Sequence, residues 1–256
     1  MDITADSPLP SRPGETTVAG RRIDWTPRDV GIGVLLVIAL FIVVPIPIAA
    51  PFAIAYGEES KPYYAAALVL GGLSSLGLIG VAAWLSFRKY GGGLDRLGLV
   101  AITGWAPVLW AGGALAVAFA AGAAYAGFVE VFDIDALRSA CDDQLPRRVL
   151  DDPALLAVAG VIVVGFAPVC EEIFFRGFAF PGLARSWGVA AGVVASGLLF
   201  SLAHVSPNIH KTLVPILAIG VVFAYTYHRS GNILSTMLAH FVFNAISFTS
   251  LATTCD

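Results

Sequence analysis

Charged residues are scarce in this chain, and their scarcity indicates its class. Only 13% of the 256 residues are Asp, Glu, Lys or Arg, whereas 57% are hydrophobic. An average soluble domain has about 25% charged residues, so the composition argues against a soluble protein. The net charge of -3 is spread over the connections between apolar stretches, which argues against a nucleic-acid partner. Together with a mean hydropathy of +0.82, these features predict a polytopic membrane protein.

Several catalytic signatures are also missing. The glycines form no nucleotide-binding fingerprint after a strand, and no Ser-His-Asp arrangement competes. The three cysteines say little about function. Cys141 and Cys255 would lie on the same side of the membrane and could pair, but are interpreted as unrelated thiols. Cys170, in an apolar run, is interpreted as a small buried hydrophobe. These absences leave the polar side chains inside the apolar stretches as the candidates for chemistry.

The apolar stretches predict an all-α fold, a polytopic transmembrane helical bundle. A helix needs about 20 residues to cross the hydrocarbon core, and seven stretches can do so, although 212–227 needs its flanks. They are residues 30–57, 64–86, 97–129, 153–170 with its continuation, 186–203, 212–227 and 230–254. We therefore predict about seven transmembrane helices, within a range of six to eight.

The same pattern divides the chain into three parts. Residues 1–29 are polar, lack an apolar stretch, and are predicted to be a disordered tail rather than a signal peptide. Residues 30–152 hold the first transmembrane helices and an acidic loop, and residues 153–254 hold the remaining helices. Basic residues in the connections favour a cytoplasmic N-terminus by roughly two to one.

The first intramembrane polar cluster is a pair of glutamates with an arginine, at Glu171, Glu172 and Arg176. Charged side chains inside a membrane are costly, so they mark a functional site or face a hydrated cavity. Glu172 and Arg176 are four residues apart on a helix and can form a partial ion pair. Glu171 lies about 100° further round the helix, and is therefore the carboxylate that the arginine neutralises less.

Two further polar groups occur at helical spacing in later stretches. His204 follows Phe200 by four residues, and Asn244 follows His240 by four, so each pair lies on one helix face. Counting about 1.5 Å per residue from predicted turns near residues 186 and 231 places both histidines and Asn244 in the same mid-membrane layer as Glu171. The sequence thus predicts that they can meet.

This set of side chains suits hydrolysis. A carboxylate in apolar surroundings is a plausible base for deprotonating water, and imidazoles or an amide can ligate a metal, orient the water or donate to an oxyanion. Other interpretations are a hydrogen bond between helices for either histidine, and a proton or ion relay or a structural ion-pair network for the glutamates.

The ordered motifs resemble those of the CPBP intramembrane proteases, also called the Abi family, which includes the CaaX prenyl endopeptidase and bacterial bacteriocin-processing and immunity proteins. The family's Glu-Glu-x-x-x-Arg is similar to Glu171, Glu172 and Arg176. Its Phe-x-x-x-His is similar to Phe200 and His204, and its His-x-x-x-Asn/Asp to His240 and Asn244. The resemblance covers roughly residues 153–254 and implies that this part is the catalytic core.

The resemblance also implies roles for these residues. Glu171 would activate water together with His204, and His240 and Asn244 would stabilise the oxyanion. Glu172, Arg176 and Phe200 would support the site. Glu171, His204 and His240 are also the ligand types for Zn²⁺ or another divalent metal, although the chain lacks the His-Glu-x-x-His spacing. A metal-free peptidase and a metalloprotease therefore both stay open.

The predicted function is an intramembrane endopeptidase that hydrolyses a peptide bond in a membrane-associated, prenylated or leader-type peptide, using a glutamate-activated water. Its expected partners are the lipid bilayer and a peptide or protein substrate, and its expected location is a bacterial plasma membrane. The alternative is a non-proteolytic immunity or scaffold protein, or a proton-coupled transporter. Transporters usually carry paired interrupted helices in related halves, and the first half contains no second glutamate motif, although Pro45, Pro47 and Pro51 interrupt its first stretch.

Overall fold

The computed structural model describes residues 17–101, 104–138, 145–204 and 209–254. Two short strands, β1 (Thr17–Val18) and β2 (Arg21–Arg22), precede the helices. The helices are α1 (Pro27–Val43), α2 (Pro45–Tyr56), α3 (Lys61–Ala83), α4 (Ala106–Val131), α5 (Arg147–Leu150), α6 (Pro153–Gly160), α7 (Ala167–Glu172), α8 (Phe180–Trp187), α9 (Val189–Ala203), α10 (Ile209–Ser230) and α11 (Ile233–Thr254). Segments of π-helix cover Trp84–Arg88, Val161–Phe166 and Ile173–Ala179, and short 3₁₀ turns cover Leu94–Leu97 and Asp135–Leu137.

The fold is an all-α polytopic bundle, as predicted. Within the described residues, six helical segments are long and apolar enough to cross a membrane: Pro27–Tyr56, Lys61–Arg88, Ala106–Val131, Pro153–Trp187, His210–Ser230 and Ile233–Thr254. The remaining predicted stretch, residues 186–203, forms α9, which has only 15 residues. The stretch predicted from residue 97 begins as a helix only at Ala106. Gly98, with φ 87°, ends the turn that precedes it in a left-handed conformation.

Residues 17–29 are folded, which corrects the expectation that residues 1–29 form a disordered tail. β1 and β2 pair as a hairpin, and the indole of Trp25 is fully buried, where its Nε1 donates a hydrogen bond to the carbonyl oxygen of Phe178 at 2.7 Å. A capping box between Thr26 and Asp29 begins α1. Single apolar side chains anchor this segment. Because they do not form an apolar run, the sequence pattern did not indicate that the segment is folded. Residues 1–16 lie outside the described part.

A single 35-residue helical segment, Pro153–Trp187, carries the two glutamates and the arginine. It alternates between α6, a π-segment, α7, a second π-segment and α8. Pro168 and Pro181 each lie just after a π-segment. Proline lacks an amide hydrogen and crowds the carbonyl of the preceding turn, so a wider π-turn can accommodate it without breaking the helix. This segment, called the glutamate helix below, ends at Gly188, which has φ 83°.

The two helices that follow pack closely around a pair of glycines. A Cβ atom on Gly220 in α10 would lie 2.8 Å from the Cα of Gly197 in α9, and a Cβ on Gly197 would lie 2.9 Å from the backbone nitrogen of Val221. Only glycine allows this backbone approach. The same glycine also contacts the glutamate helix: Arg176 Nη2 donates a hydrogen bond to the Gly220 carbonyl oxygen at 3.4 Å.

We predict that Gly220→Ala destabilises the protein, because the added methyl group must push two backbones apart, at a cost of about 1–3 kcal/mol. Thermal unfolding in detergent measures the effect. The matched control is Gly112→Ala in α4, where a Cβ meets nothing within 4 Å and helix propensity favours alanine by about 1 kcal/mol. Equal stability of the two variants would contradict the close crossing.

Candidate active site

The polar side chains inside the bundle come from three helical segments. Glu171 and Glu172 end α7, and Arg176 lies in the π-segment that follows. His204 is the residue directly after α9, and His240 lies in α11. All three segments belong to the second half of the chain.

The structure brings Glu171 together with both histidines. Its Oε2 atom lies 3.9 Å from His204 Nε2 and 3.8 Å from His240 Nε2. The Glu171 side chain keeps 17% of its exposure, yet Oε2 itself is buried and has no hydrogen-bond partner among the described residues. A buried carboxylate oxygen without a partner is costly, and here it faces two nitrogen atoms across a gap.

The hydrogen bond that Nδ1 of each imidazole makes fixes the tautomer of the neutral ring. His204 Nδ1 lies 2.8 Å from the Phe200 carbonyl oxygen, which can only accept, so Nδ1 carries the hydrogen. His240 Nδ1 likewise donates to Glu172 Oε1 at 2.9 Å. Each neutral ring therefore presents a lone pair at Nε2. Three acceptor atoms then face one another, and a water molecule between them can donate a hydrogen to two of the three.

Glu172 and Arg176 form the ion pair that their spacing predicts. Arg176 Nη1 lies 3.0 Å from Glu172 Oε1, and both side chains are completely buried. Three phenylalanine rings surround the guanidinium: Phe200 at 4.3 Å, Phe223 at 5.4 Å and Phe175 at 6.0 Å from ring centroid to Cζ. Ring faces attract a guanidinium, so this enclosure helps to offset the loss of water around the charge.

Aromatic packing holds the histidines as well. The Phe200 ring lies 4.7 Å from the His204 ring and 5.7 Å from the His240 ring, between centroids. Phe223 lies 5.4 Å from His240 on another side. Sequence reasoning included Phe200 but missed Phe223, because Phe223 belongs to no motif and reaches the site only through the packing of α10.

Asn244 lies one turn beyond His240 on α11, as its spacing predicts. Its Nδ2 donates a hydrogen bond to the carbonyl oxygen of Val163, at 2.8 Å. Val163 belongs to the first π-segment of the glutamate helix. One amide hydrogen of Asn244 is thus engaged by the backbone, and the second is the one left for any other acceptor.

The residues expected to ligate a metal have suitable chemistry but wide spacing. A tetrahedral zinc with ligand atoms at about 2.0–2.1 Å requires neighbouring ligands roughly 3.3 Å apart by the same geometry. The contacts of Glu171 with His204 and His240 are 3.9 and 3.8 Å, and within the described ranges no three His, Cys, Asp or Glu side chains are placed to hold a metal ion. As arranged, the three side chains are spaced more widely than a tetrahedral zinc requires.

An apolar groove runs along the same glutamate helix, between it and α3. Its volume is about 460 Å³, and a second cavity of about 350 Å³ shares Gly72 and Ile162 with it. Every residue along the groove is apolar: Val69, Gly72, Leu73, Ala157, Val158, Val161, Ile162 and Phe166. Val161 is 72% exposed and Leu73 57% exposed, so the groove lies at the surface that faces the lipid.

The fold and the polar cluster define an integral membrane protein with a glutamate–histidine site inside its helical bundle. Residues 153–246 match the family model described as Type II CAAX prenyl endopeptidase Rce1-like. This match confirms the predicted resemblance to the CPBP family over this part of the chain, and the family is one of proteases. No curated protein and no solved structure gives a significant match. All the residues named in the three motifs lie within the matched range.

We predict that Arg176→Met destabilises the protein by about 3–5 kcal/mol, because it leaves the Glu172 carboxylate buried without a counter-ion. Replacing both partners, as in Glu172→Leu with Arg176→Met, should restore much of that loss because no unpaired charge remains. Thermal unfolding in detergent measures both. The control is the exposed Arg88→Met, which should change stability by less than about 0.5 kcal/mol. A double variant as unstable as Arg176→Met would contradict the interpretation.

Proposed function

We propose that the protein is an intramembrane endopeptidase that hydrolyses a peptide bond with a water activated by Glu171. The observation that carries this proposal is the position of Glu171 Oε2, which has no hydrogen-bond partner in the described part of the chain and faces the Nε2 atoms of His204 and His240 at 3.9 and 3.8 Å. A water placed among these three acceptors can donate two hydrogens, one to the carboxylate and one to an imidazole. The match of residues 153–246 to a protease family supports the same reaction class.

The proposed reaction proceeds in two steps. Glu171 accepts a proton from the bound water while the water oxygen bonds to the carbonyl carbon of the substrate, which gives a tetrahedral intermediate. Glu171 then returns the proton to the leaving nitrogen, the C–N bond breaks, and a carboxylic acid and an amine are released. His204 holds the water through its Nε2 lone pair, since its Nδ1 hydrogen is committed to Phe200.

The oxyanion of the intermediate needs hydrogen-bond donors. The candidates are the second amide hydrogen of Asn244 and, when the ring carries two hydrogens, His240 Nε2. Glu172 holds His240 in place through the 2.9 Å hydrogen bond to Nδ1, and Arg176 Nη1 lies 3.0 Å from the same Glu172 oxygen. In this proposal Glu171 reacts, whereas Glu172 orients.

We further propose that the substrate is a membrane-associated peptide, of the prenylated or leader type. The support is the apolar groove of about 460 Å³ beside the glutamate helix, because a surface groove without polar groups suits the hydrocarbon part of such a substrate.

The protein would act in a bacterial plasma membrane with its N-terminus in the cytoplasm, supported by the distribution of basic residues. A reporter fused to the N-terminus tests this orientation: signal from a cytoplasmic reporter supports it, and signal from an extracytoplasmic reporter contradicts it.

We predict that Glu171→Gln and His204→Ala each lower cleavage by roughly 10²–10⁴-fold, the range for loss of a general base or of a group that serves it. The assay uses purified protein in lipid nanodiscs with a panel of prenylated CaaX and leader-type peptides, read by mass spectrometry. The control is Glu58→Gln, on an exposed connection, which should keep full activity and equal yield. Cleavage by both purified site variants at the wild-type rate would refute the assigned roles.

The metal question needs its own measurement. Because the three candidate ligands are spaced too widely for zinc as they stand, we propose a metal-free reaction and predict that 1,10-phenanthroline leaves cleavage unchanged. Elemental analysis of the purified protein should find no zinc in proportion to it. Loss of activity with the chelator, restored by added zinc but not by magnesium, would contradict this and would require Glu171, His204 and His240 to close around the ion.

A further inference from the structure

The first π-segment of the glutamate helix places the Val163 carbonyl opposite a residue that cannot donate a hydrogen bond. The amide of Ala167 donates to the carbonyl of Ile162, five residues earlier, which is the π-helical register. In that register the next donor, to Val163, would be residue 168. That residue is Pro168, which has no amide hydrogen. Because lipid offers no replacement donor, a spanning helix must satisfy such a carbonyl from within the protein.

The missing donor is supplied by another helix. Asn244 Nδ2 donates to the Val163 carbonyl oxygen at 2.8 Å, a normal length for this type of hydrogen bond. Asn244 lies one turn from His240 on α11, and Val163 lies two turns before Glu171. This single hydrogen bond therefore joins the helix that carries the carboxylate to the helix that carries one of its imidazoles.

Two other carbonyls of the glutamate helix also receive side-chain donors, both on the far side of Glu171. Ser196 Oγ donates to the Phe175 carbonyl at 3.0 Å, and Trp25 Nε1 donates to the Phe178 carbonyl at 2.7 Å. The bond from Asn244 fixes the helix before Glu171, and the other two fix it after Glu171. Together they restrain the rotation that decides whether Glu171 Oε2 faces the histidines.

We propose that Pro168, Val163 and Asn244 form a positioning unit: Pro168 frees the Val163 carbonyl, Asn244 binds it, and this bond sets the register of Glu171 against His240. The inference rests on the proposed peptidase function where it concerns activity. It differs from the role that the family resemblance implies for Asn244, because it assigns the observed amide hydrogen to the helix backbone and not to the oxyanion.

A rescue experiment separates the two roles. Asn244→Ala should lower cleavage of the peptide panel roughly 10–100-fold, as is typical when a group that orients a catalytic residue is lost. Adding Pro168→Ala supplies an amide hydrogen at residue 168, which can bond to the Val163 carbonyl in place of Asn244. The double variant should therefore cleave nearly as fast as Pro168→Ala alone. If Asn244 acts only as an oxyanion donor, the added amide cannot replace it. A double variant as inactive as Asn244→Ala would overturn the proposal.

A second readout does not depend on cleavage. Amide hydrogen exchange, followed by mass spectrometry in nanodiscs, should be faster by severalfold across residues 161–172 in Asn244→Ala and should return towards wild type in the double variant. His204→Ala, which leaves the Val163 bond intact, is the control and should not change that segment. Unchanged exchange in Asn244→Ala would overturn the positioning role even if Pro168→Ala failed to fold. If the wild-type protein cleaves no peptide but Asn244→Ala still changes the exchange, the peptidase function is rejected and the positioning role of Asn244 stands.

Discussion

The buried ion pair between Glu172 and Arg176 is the interaction on which the rest of the site depends. It joins two charges at 3.0 Å with no exposure to solvent, and a charge in such surroundings is tolerated only with a partner and further hydrogen bonds. The partners come from three other helices: the Phe200 ring from α9, the Gly220 carbonyl from α10 and the His240 imidazole from α11. The contacts of this one ion pair therefore bring together the elements around Glu171.

Two adjacent glutamates take different environments because a helix turns by about 100° per residue. Glu172 points into the bundle, where Arg176 and His240 hold it with no remaining exposure. Glu171 points towards the gap between the histidines and keeps 17% of its exposure. Identical side chains thus become a fixed structural anion and an available carboxylate.

Local spacing allowed part of the site to be predicted. The ion pair of Glu172 and Arg176, the packing of Phe200 on His204 and the turns near residues 186 and 231 all follow from the helical repeat and the placement of glycine. These features join residues close in sequence, or depend on a helix ending where the chain must reverse. The same kind of reasoning placed Glu171 and the two histidines at a common depth.

Other contacts could not be predicted because they depend on how distant helices pack. The hydrogen bond from His240 to Glu172 spans 68 residues and that from Asn244 to Val163 spans 81, and neither pair is marked by a shared pattern. The Val163 bond also requires the π-register before Pro168, which hydropathy does not reveal. The disorder predicted for the first 29 residues was wrong over residues 17–29 for a similar reason: Trp25 is an isolated side chain whose burial depends on Phe178.

The central claim is that the Glu171 carboxylate faces both imidazoles across a gap that one water can bridge. Solid-state NMR on protein in lipid bilayers, with ¹³C in glutamate and ¹⁵N in histidine, measures these separations directly, and Glu171→Gln and His204→Ala samples assign the signals. The account predicts short distances from the carboxyl carbon to Nε2 of both rings, as the Oε2-to-Nε2 separations of 3.8 and 3.9 Å require, with the ring hydrogen on Nδ1. Either imidazole lying farther from the carboxylate than a bridging water can reach would contradict it.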